Sequence, residues 1–309
     1  MQGFRGGRLD PKLDIVFWML FGAEQNRALL ISLLNAVLQP PVPIEWAEVE
    51  HAQPERLGVD DKGIALDVRV RLTNGEQIDV EMQTQRHPAL RERALYYWAR
   101  LYVGQLQRGL AYTDLRRCVV VWITSFNELP ERRFHSVFSL REARGMAPLT
   151  DHIELHLVEL PKLCDELDEN DEPSLVAWGK FLTATADEDL ETLAMENPVL
   201  KQAKDALDRL SADPESRVRA EQREMALISY ELGLSVARRE GIVQGIERGI
   251  EQGRAQGRAE ILVRQLTIKF GALPASVTAR MATATDEELL DWSDRVLSAA
   301  TLESVFERL

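Results

Sequence analysis

The chain has 309 residues, enough for one good-sized core and a smaller appendage at roughly 150 residues per domain. A hydrophobic share of 45% with 28% charged residues is that of an ordinary folded chain. No apolar run approaches the ~20 residues a membrane span needs, and the N-terminus does not resemble a signal peptide. Two cysteines, Cys118 and Cys164, make no disulfide framework, so a reducing, cytoplasmic setting is expected. A net charge of −13 argues against a protein that coats nucleic acid, since Lys and Arg neutralising phosphates dominate such affinity.

In chain order, residues 9–38 open with two helical patterns. Ile15, Val16, Trp18, Met19 and Leu20 recur at helical intervals, with Asp10-Pro11 as the entry, and Leu29, Leu30, Leu33, Leu34 and Leu38 form a second stripe. Pro40-Pro41-Val42-Pro43 breaks the helix, and an edge strand is expected within 44–54.

Residues 66–85 read LDVRVRLTNGEQIDVEMQTQ, two alternating runs around Asn74-Gly75, a hairpin signal. Leu66, Val68 and Val70 alternate with Asp67, Arg69 and Arg71; Ile78, Val80 and Met82 alternate with Asp79, Glu81 and Gln83. A two-residue loop would mix polar and apolar faces. A three-residue loop with Gly75 left-handed keeps them apart and sets Asp67 opposite Glu81. Two carboxylates held close repel each other, and need a cation or a shared proton. A Mg²⁺ ion bound through one or two carboxylates is one answer; a solvated sheet face is the bland alternative.

Asp67, followed after a hairpin by Glu81-Met82-Gln83, resembles the PD-(D/E)XK nuclease core, in which an Asp and a Glu-x-Lys bind metal. The wording is closest to the Rpn-type branch of recombination-promoting nucleases and transposases, where Gln commonly stands in place of Lys, as Gln83 does here. The opening DPKLDIVFWMLFG and LLISLLNAVL are similar to that branch too. The resemblance implies a restriction-endonuclease-like α/β core with a central mixed sheet, followed by a helical C-terminal region. It also implies Mg²⁺ or Mn²⁺ at Asp67 and Glu81, with Asp14 on the first helix as a further ligand, and DNA as substrate. An Asp at a helix start also stabilises the dipole with no metal involved.

Residues 87–112 are expected to form an amphipathic helix with Leu90, Ala94, Tyr97, Trp98, Leu101, Tyr102, Leu106 and Leu110 inward. Arg86, His87, Arg91, Arg93, Arg100 and Arg108 cluster there. Arg86, Arg91, Arg93 and Tyr97 are the candidates for DNA contact, against the plainer alternatives of a solvated Arg-rich face and a core aromatic. Residues 118–126 are a β-branched run typical of a strand covered on both faces, and a second strand follows at 153–160. His152 and His156 would lie ~13 Å apart along it, too far to share an ion.

From 165 to 240 the chain is acidic and helical, with starts at Asn197-Pro198 and Asp213-Pro214. Gly241, Gly245, Gly249, Gly253 and Gly257 then repeat every fourth residue, each costing ~1 kcal/mol in a helix relative to alanine. Such a repeat serves either self-association or a flexible link. Gly271 closes the following helix, and Thr285 to Glu288 is a capping-box pattern ahead of Leu289, Leu290, Trp292, Val296 and Leu297.

The expected layout is a nuclease-like core over 1–165, a helical extension over 166–240, the Gly repeat over 241–258 and a small helical domain over 259–309. The function implied is metal-dependent DNA endonuclease activity tied to recombination or mobile elements, in a homo-oligomer joined through the Gly repeat and C-terminal helices. The alternative is a weak or inactive nuclease-like scaffold that works by self-association and partner binding. No helix-turn-helix or zinc-finger pattern supports DNA-end recognition.

Overall fold

The computed structural model describes residues 4–5, 7–50, 68–106, 109–163 and 172–307. It divides into two compact units, Met1–Tyr230 and Glu231–Leu309.

The first unit begins with a short ribbon, β1 (Phe4–Arg5) against β2 (Arg8–Leu9), and two helices, α1 (Asp14–Phe21) and α2 (Arg27–Leu38). Helix α1 starts four residues after the expected Asp10, because the Asp10 carboxylate turns the chain by accepting the Lys12 N–H at 3.0 Å. A six-stranded sheet follows from β3 (Ala47–Glu50), β4 (Val68–Leu72), β5 (Gln77–Gln83), β6 (Cys118–Thr124), β7 (His135–Ser139) and β8 (Ile153–Glu159), in the order β3-β4-β5-β6-β8-β7. The first three strands form an antiparallel meander, β5, β6 and β8 run parallel, and β7 returns antiparallel on the far edge.

Helix α3 (Leu90–Gly104) makes the crossover between β5 and β6. It is shorter than expected: Leu106 and Leu110 lie beyond it and are exposed, and the Gln105 amide bonds the Arg116 backbone instead.

The hairpin has the three-residue loop. Val68 pairs with Val80 and Val70 with Ile78, the Leu72 N–H donates to Glu76 at 2.9 Å, and Gly75 sits at φ +85°. Alternation then sorts the sheet into two faces. Val68, Val70, Ile78, Val80, Val119, Val121, Ile123 and Val158 share a core with α1, α2, α4 (Pro173–Thr183), α5 (Asp187–Glu196) and α6 (Pro198–Ala212). The helical extension is thus built into the same hydrophobic core as the sheet. On the other face Cys118, Val120, Trp122 and Leu157 meet Leu90 and Leu101 of α3.

Asn197 and Asp213 precede helices as the sequence suggests; Asn197 caps α6 by accepting from Val199 and Leu200 N–H. Helix α7 (Pro214–Phe270) continues unbroken for 57 residues, through all five glycines of the repeat.

The second unit packs α8 (Ala275–Ala282), α9 (Asp286–Ser298) and α10 (Leu302–Phe306) around Leu262 and Leu266 of α7. Gly271 ends α7 at φ +84°, and Thr285 with Glu288 forms the capping box. Leu289, Trp292 and Val296 are buried, whereas Leu290 and Leu297, expected on the same face, are exposed. Among the described residues no helix is long and apolar enough to cross a membrane.

Candidate nuclease site

Strand β5 carries two of the three candidate catalytic residues, Glu81 and Gln83. Its Asp79, Glu81 and Gln83 alternate with core residues and therefore point to the α3 face. Register sets Asp79 beside Val120, Glu81 beside Trp122 and Gln83 beside Thr124. Asp79 is 0% exposed, Glu81 1% and Gln83 8%, so a solvated sheet face does not describe this strand. Burying a carboxylate is costly unless hydrogen bonds or a cation compensate it. Gln83 does part of this: its Nε2 donates to Glu81 Oε2 at 2.8 Å. Asp79 faces Arg69 across the hairpin at 3.8 Å.

Two of the sequence candidates meet over Trp122 of the neighbouring strand β6. The Arg93 guanidinium lies 5.7 Å from the Trp122 ring centroid and 5.5 Å from that of Tyr97, and its Nη2 donates to Tyr97 Oη at 3.1 Å. Trp122 is Glu81's register neighbour on β6, and Arg93 of α3 lies over its ring. Arg86 and Arg91 converge elsewhere, on Glu128, at 3.5 and 2.9 Å. His87 accepts the Ala89 N–H at the foot of α3, and burial, then the charge of Arg93, lowers its pKa. An apolar cleft of ≈360 Å³ opens alongside, its lining shared by Trp122, Leu90 and Leu95 with Phe138 and Leu155 from the far strands.

Asp14 is placed differently from the other candidates. Its carboxylate is buried and gripped by Arg223 of α7, with Nε 3.0 Å from both oxygens and Nη2 2.6 Å from Oδ2. A metal ion would have to share those oxygens with a guanidinium. Asp67 lies outside the described residues. Among the described ones no three His, Cys, Asp or Glu side chains are grouped as for a metal ion. A hard cation such as Mg²⁺ needs only one or two carboxylates plus water, so an oxygen donor as buried as Glu81 fits that class.

Two polar clusters were not foreseen. Glu159, 0% exposed, accepts the backbone N–H groups of Glu128 and Leu129 and pairs with Lys162. With Gln83 and Thr124 it completes a polar row at the carboxyl ends of the parallel strands, where open α/β sheets take their ligands. An acidic residue closing an apolar strand, three before a lysine, was the available signal. On the opposite face Arg117, Glu154, His156 and His135 form a chain. Arg117 and His156 both bond Glu154, and His135 Nε2 lies 2.9 Å from His156 Nδ1. Burial, then His156, pushes the His135 pKa down to about 4. His152 bonds Tyr102.

A mixed six-stranded sheet flanked by helices, with a Glu-x-Gln strand buried beneath its crossover helix, is the restriction-endonuclease-like α/β fold. The sequence pattern of the PD-(D/E)XK nuclease family transposase matches residues 11–237, most of the chain, and the protein belongs to that family. Membership carries a nuclease-like role tied to mobile elements. No curated protein and no solved structure matches the chain.

Proposed function

We propose that the protein is a metal-dependent DNA endonuclease whose centre is Glu81. The observation that supports this most directly is a carboxylate 1% exposed, oriented by the Gln83 amide, with Trp122 as its register neighbour and Arg93 over the Trp122 ring. In this proposal Asp67 and Glu81 hold Mg²⁺ or Mn²⁺. The ion, when bound, lowers the pKa of a water ligand and polarises a phosphoryl oxygen. Gln83 keeps the Glu81 carboxylate fixed through its 2.8 Å bond. Being neutral, Gln83 cannot supply the positive charge a Lys would bring to the developing phosphorane, and Arg93, over the ring of Glu81's register neighbour Trp122, takes that part in this proposal. Arg86 and Arg91 exchange Glu128 for backbone phosphates when DNA binds. Asp14 joins the metal only if Arg223 releases it.

The protein acts in the cytoplasm, in keeping with Cys118 as a free thiol. It self-associates, so that two Glu81 centres can address the two strands of a duplex.

The test is Mg²⁺- or Mn²⁺-dependent cleavage of plasmid DNA by wild type, Asp67→Ala and Glu81→Ala. Nicking that EDTA and both substitutions abolish supports the proposal. Equal cleavage by all three proteins refutes it. The neutral Gln83 favours a second reading, a catalytically weak scaffold, and that reading expects no metal-dependent cleavage from folded wild type.

A further inference from the structure

Helix α7 has two apolar faces in the second unit, and only one is used. Leu262, Val263, Leu266 and Phe270 turn toward α8–α10. At about 100° per residue they occupy one side of the helix. Leu232, Val243, Ile246, Ile250, Ile261 and Ile268 fall within about 40° of a line on the opposite side. These six are 49–77% exposed, and every residue from 231 to 254 is exposed.

The open stripe spans about ten turns, or ~54 Å, without drifting around the helix. That length limits what can cover it. No other helix among the described residues exceeds 15 residues, so the matching surface in length and straightness is a second α7. Helices take most of their stability from packing an apolar face, and among the described residues the glycine-rich stretch has no such packing: a Cβ added at Gly241, Gly245, Gly249 or Gly253 would meet nothing within 4 Å.

Charge decides the direction. Arg239, Arg254 and Arg264 lie on the stripe side of the helix. In a parallel pair each would confront its own copy, which is unfavourable. An antiparallel pair centred on Ile250 sets Arg239 beside the second copy's Glu260 and Arg254 beside its Glu247. The same alignment stacks Ile250 on Ile250, sets Leu232 against Ile268, and brings Val243 to Gly257, where the missing side chain admits a close approach.

We infer that two copies of this chain dimerise through an antiparallel pairing of α7 about Ile250. The interface is isologous, the open apolar stripe of each copy covering that of the other. This deepens the self-association proposed above and does not depend on the cleavage chemistry.

The test uses the full chain. Light scattering is expected to give twice the chain mass for wild type and the single-chain mass for Ile250→Glu. Under mild oxidation, with wild type as control for Cys118 and Cys164, Ile250→Cys is expected to form a covalent dimer. Leu232→Cys alone should not, whereas the double variant Leu232→Cys/Ile268→Cys should. A monomeric wild type overturns both self-association and this interface. A dimer that survives Ile250→Glu overturns the interface alone. Efficient cross-linking of Leu232→Cys by itself overturns the antiparallel direction.

Discussion

Arg223→Met is the substitution that separates the two roles open to Asp14. The Arg223 side chain is 3% exposed and that of Asp14 10%, and three hydrogen bonds of 2.6 to 3.0 Å join them. Removing the cation leaves a buried carboxylate uncompensated, which costs about 3–5 kcal/mol. A unit of this size loses roughly 2–4 °C of melting temperature per kcal/mol, so the midpoint should fall by about 6–20 °C in thermal unfolding followed by circular dichroism. The double variant Asp14→Leu/Arg223→Met removes both charges and should recover most of that loss. Nuclease activity completes the comparison. If Asp14 anchors Arg223, Asp14→Asn loses activity only in step with its folded fraction. If Asp14 ligates metal, Asp14→Asn loses cleavage at temperatures where it is fully folded. A shift below about 1 kcal/mol for Arg223→Met would show that the pair is solvated or dispensable, and the argument from burial would fail.

Three further predictions use other features. His135, neutral in the fold down to about pH 4 against an ordinary 6.5, refuses a proton that the unfolded chain accepts. Its contribution is therefore complete above about pH 6.5 and is lost as pH falls to about 4, a change of at most about 3.5 kcal/mol at ~1.4 per unit. Burial raises the Glu154 carboxylate, but His156 and Arg117 pull it lower overall, so its own loss comes only below its ordinary 4.5. Urea midpoints at pH 7 and 4.5 should converge in His135→Gln; an unchanged slope would refute the assignment. Gly75→Ala places a Cβ 3.2 Å from Arg116 Cγ in left-handed backbone and should cost about 1–2 kcal/mol in denaturant melts, with neutrality as the contrary result. Gln83→Lys restores a charge beside Glu81 and should raise Mg²⁺-dependent cleavage above wild type; a drop in a folded variant would mean the amide itself is needed.

The hairpin was legible because two local rules agree there: period-two alternation and the left-handed preference of Gly75 select one register between them. The strand of residues 118–124 announced itself by its β-branched run. Strand β7 did not, since His135–Ser139 is short and half-polar and exists only through its pairing with β8. Helix α3 ends before its periodicity does for a related reason: Leu106 and Leu110 keep the helical period while the Gln105 amide bonds Arg116 and Cys118. Within the site, Glu81 and Gln83 could be picked out from one strand. Arg223 could not be paired with Asp14, because a bond between residues 209 apart leaves no local trace.

The same distinction bears on the net charge of −13, which taken as a whole argues against a DNA enzyme. Global charge governs long-range steering, and the Debye length at physiological salt is only about 8 Å. The charge that the proposed function offers a phosphate is local: Arg93 over Trp122, and Arg86 and Arg91 with side chains 65% exposed, held by a single Glu128. Much of the surplus acid lies in the C-terminal half, above all in residues 165–196, where eleven Asp and Glu face a single Lys180. The proposed function therefore expects weak, salt-sensitive DNA affinity, and the salt slope of binding reads it directly. A slope near −3, from the three arginines alone, is the expected value at about −0.9 per phosphate contact; a slope beyond about −6 would require a basic surface outside these residues.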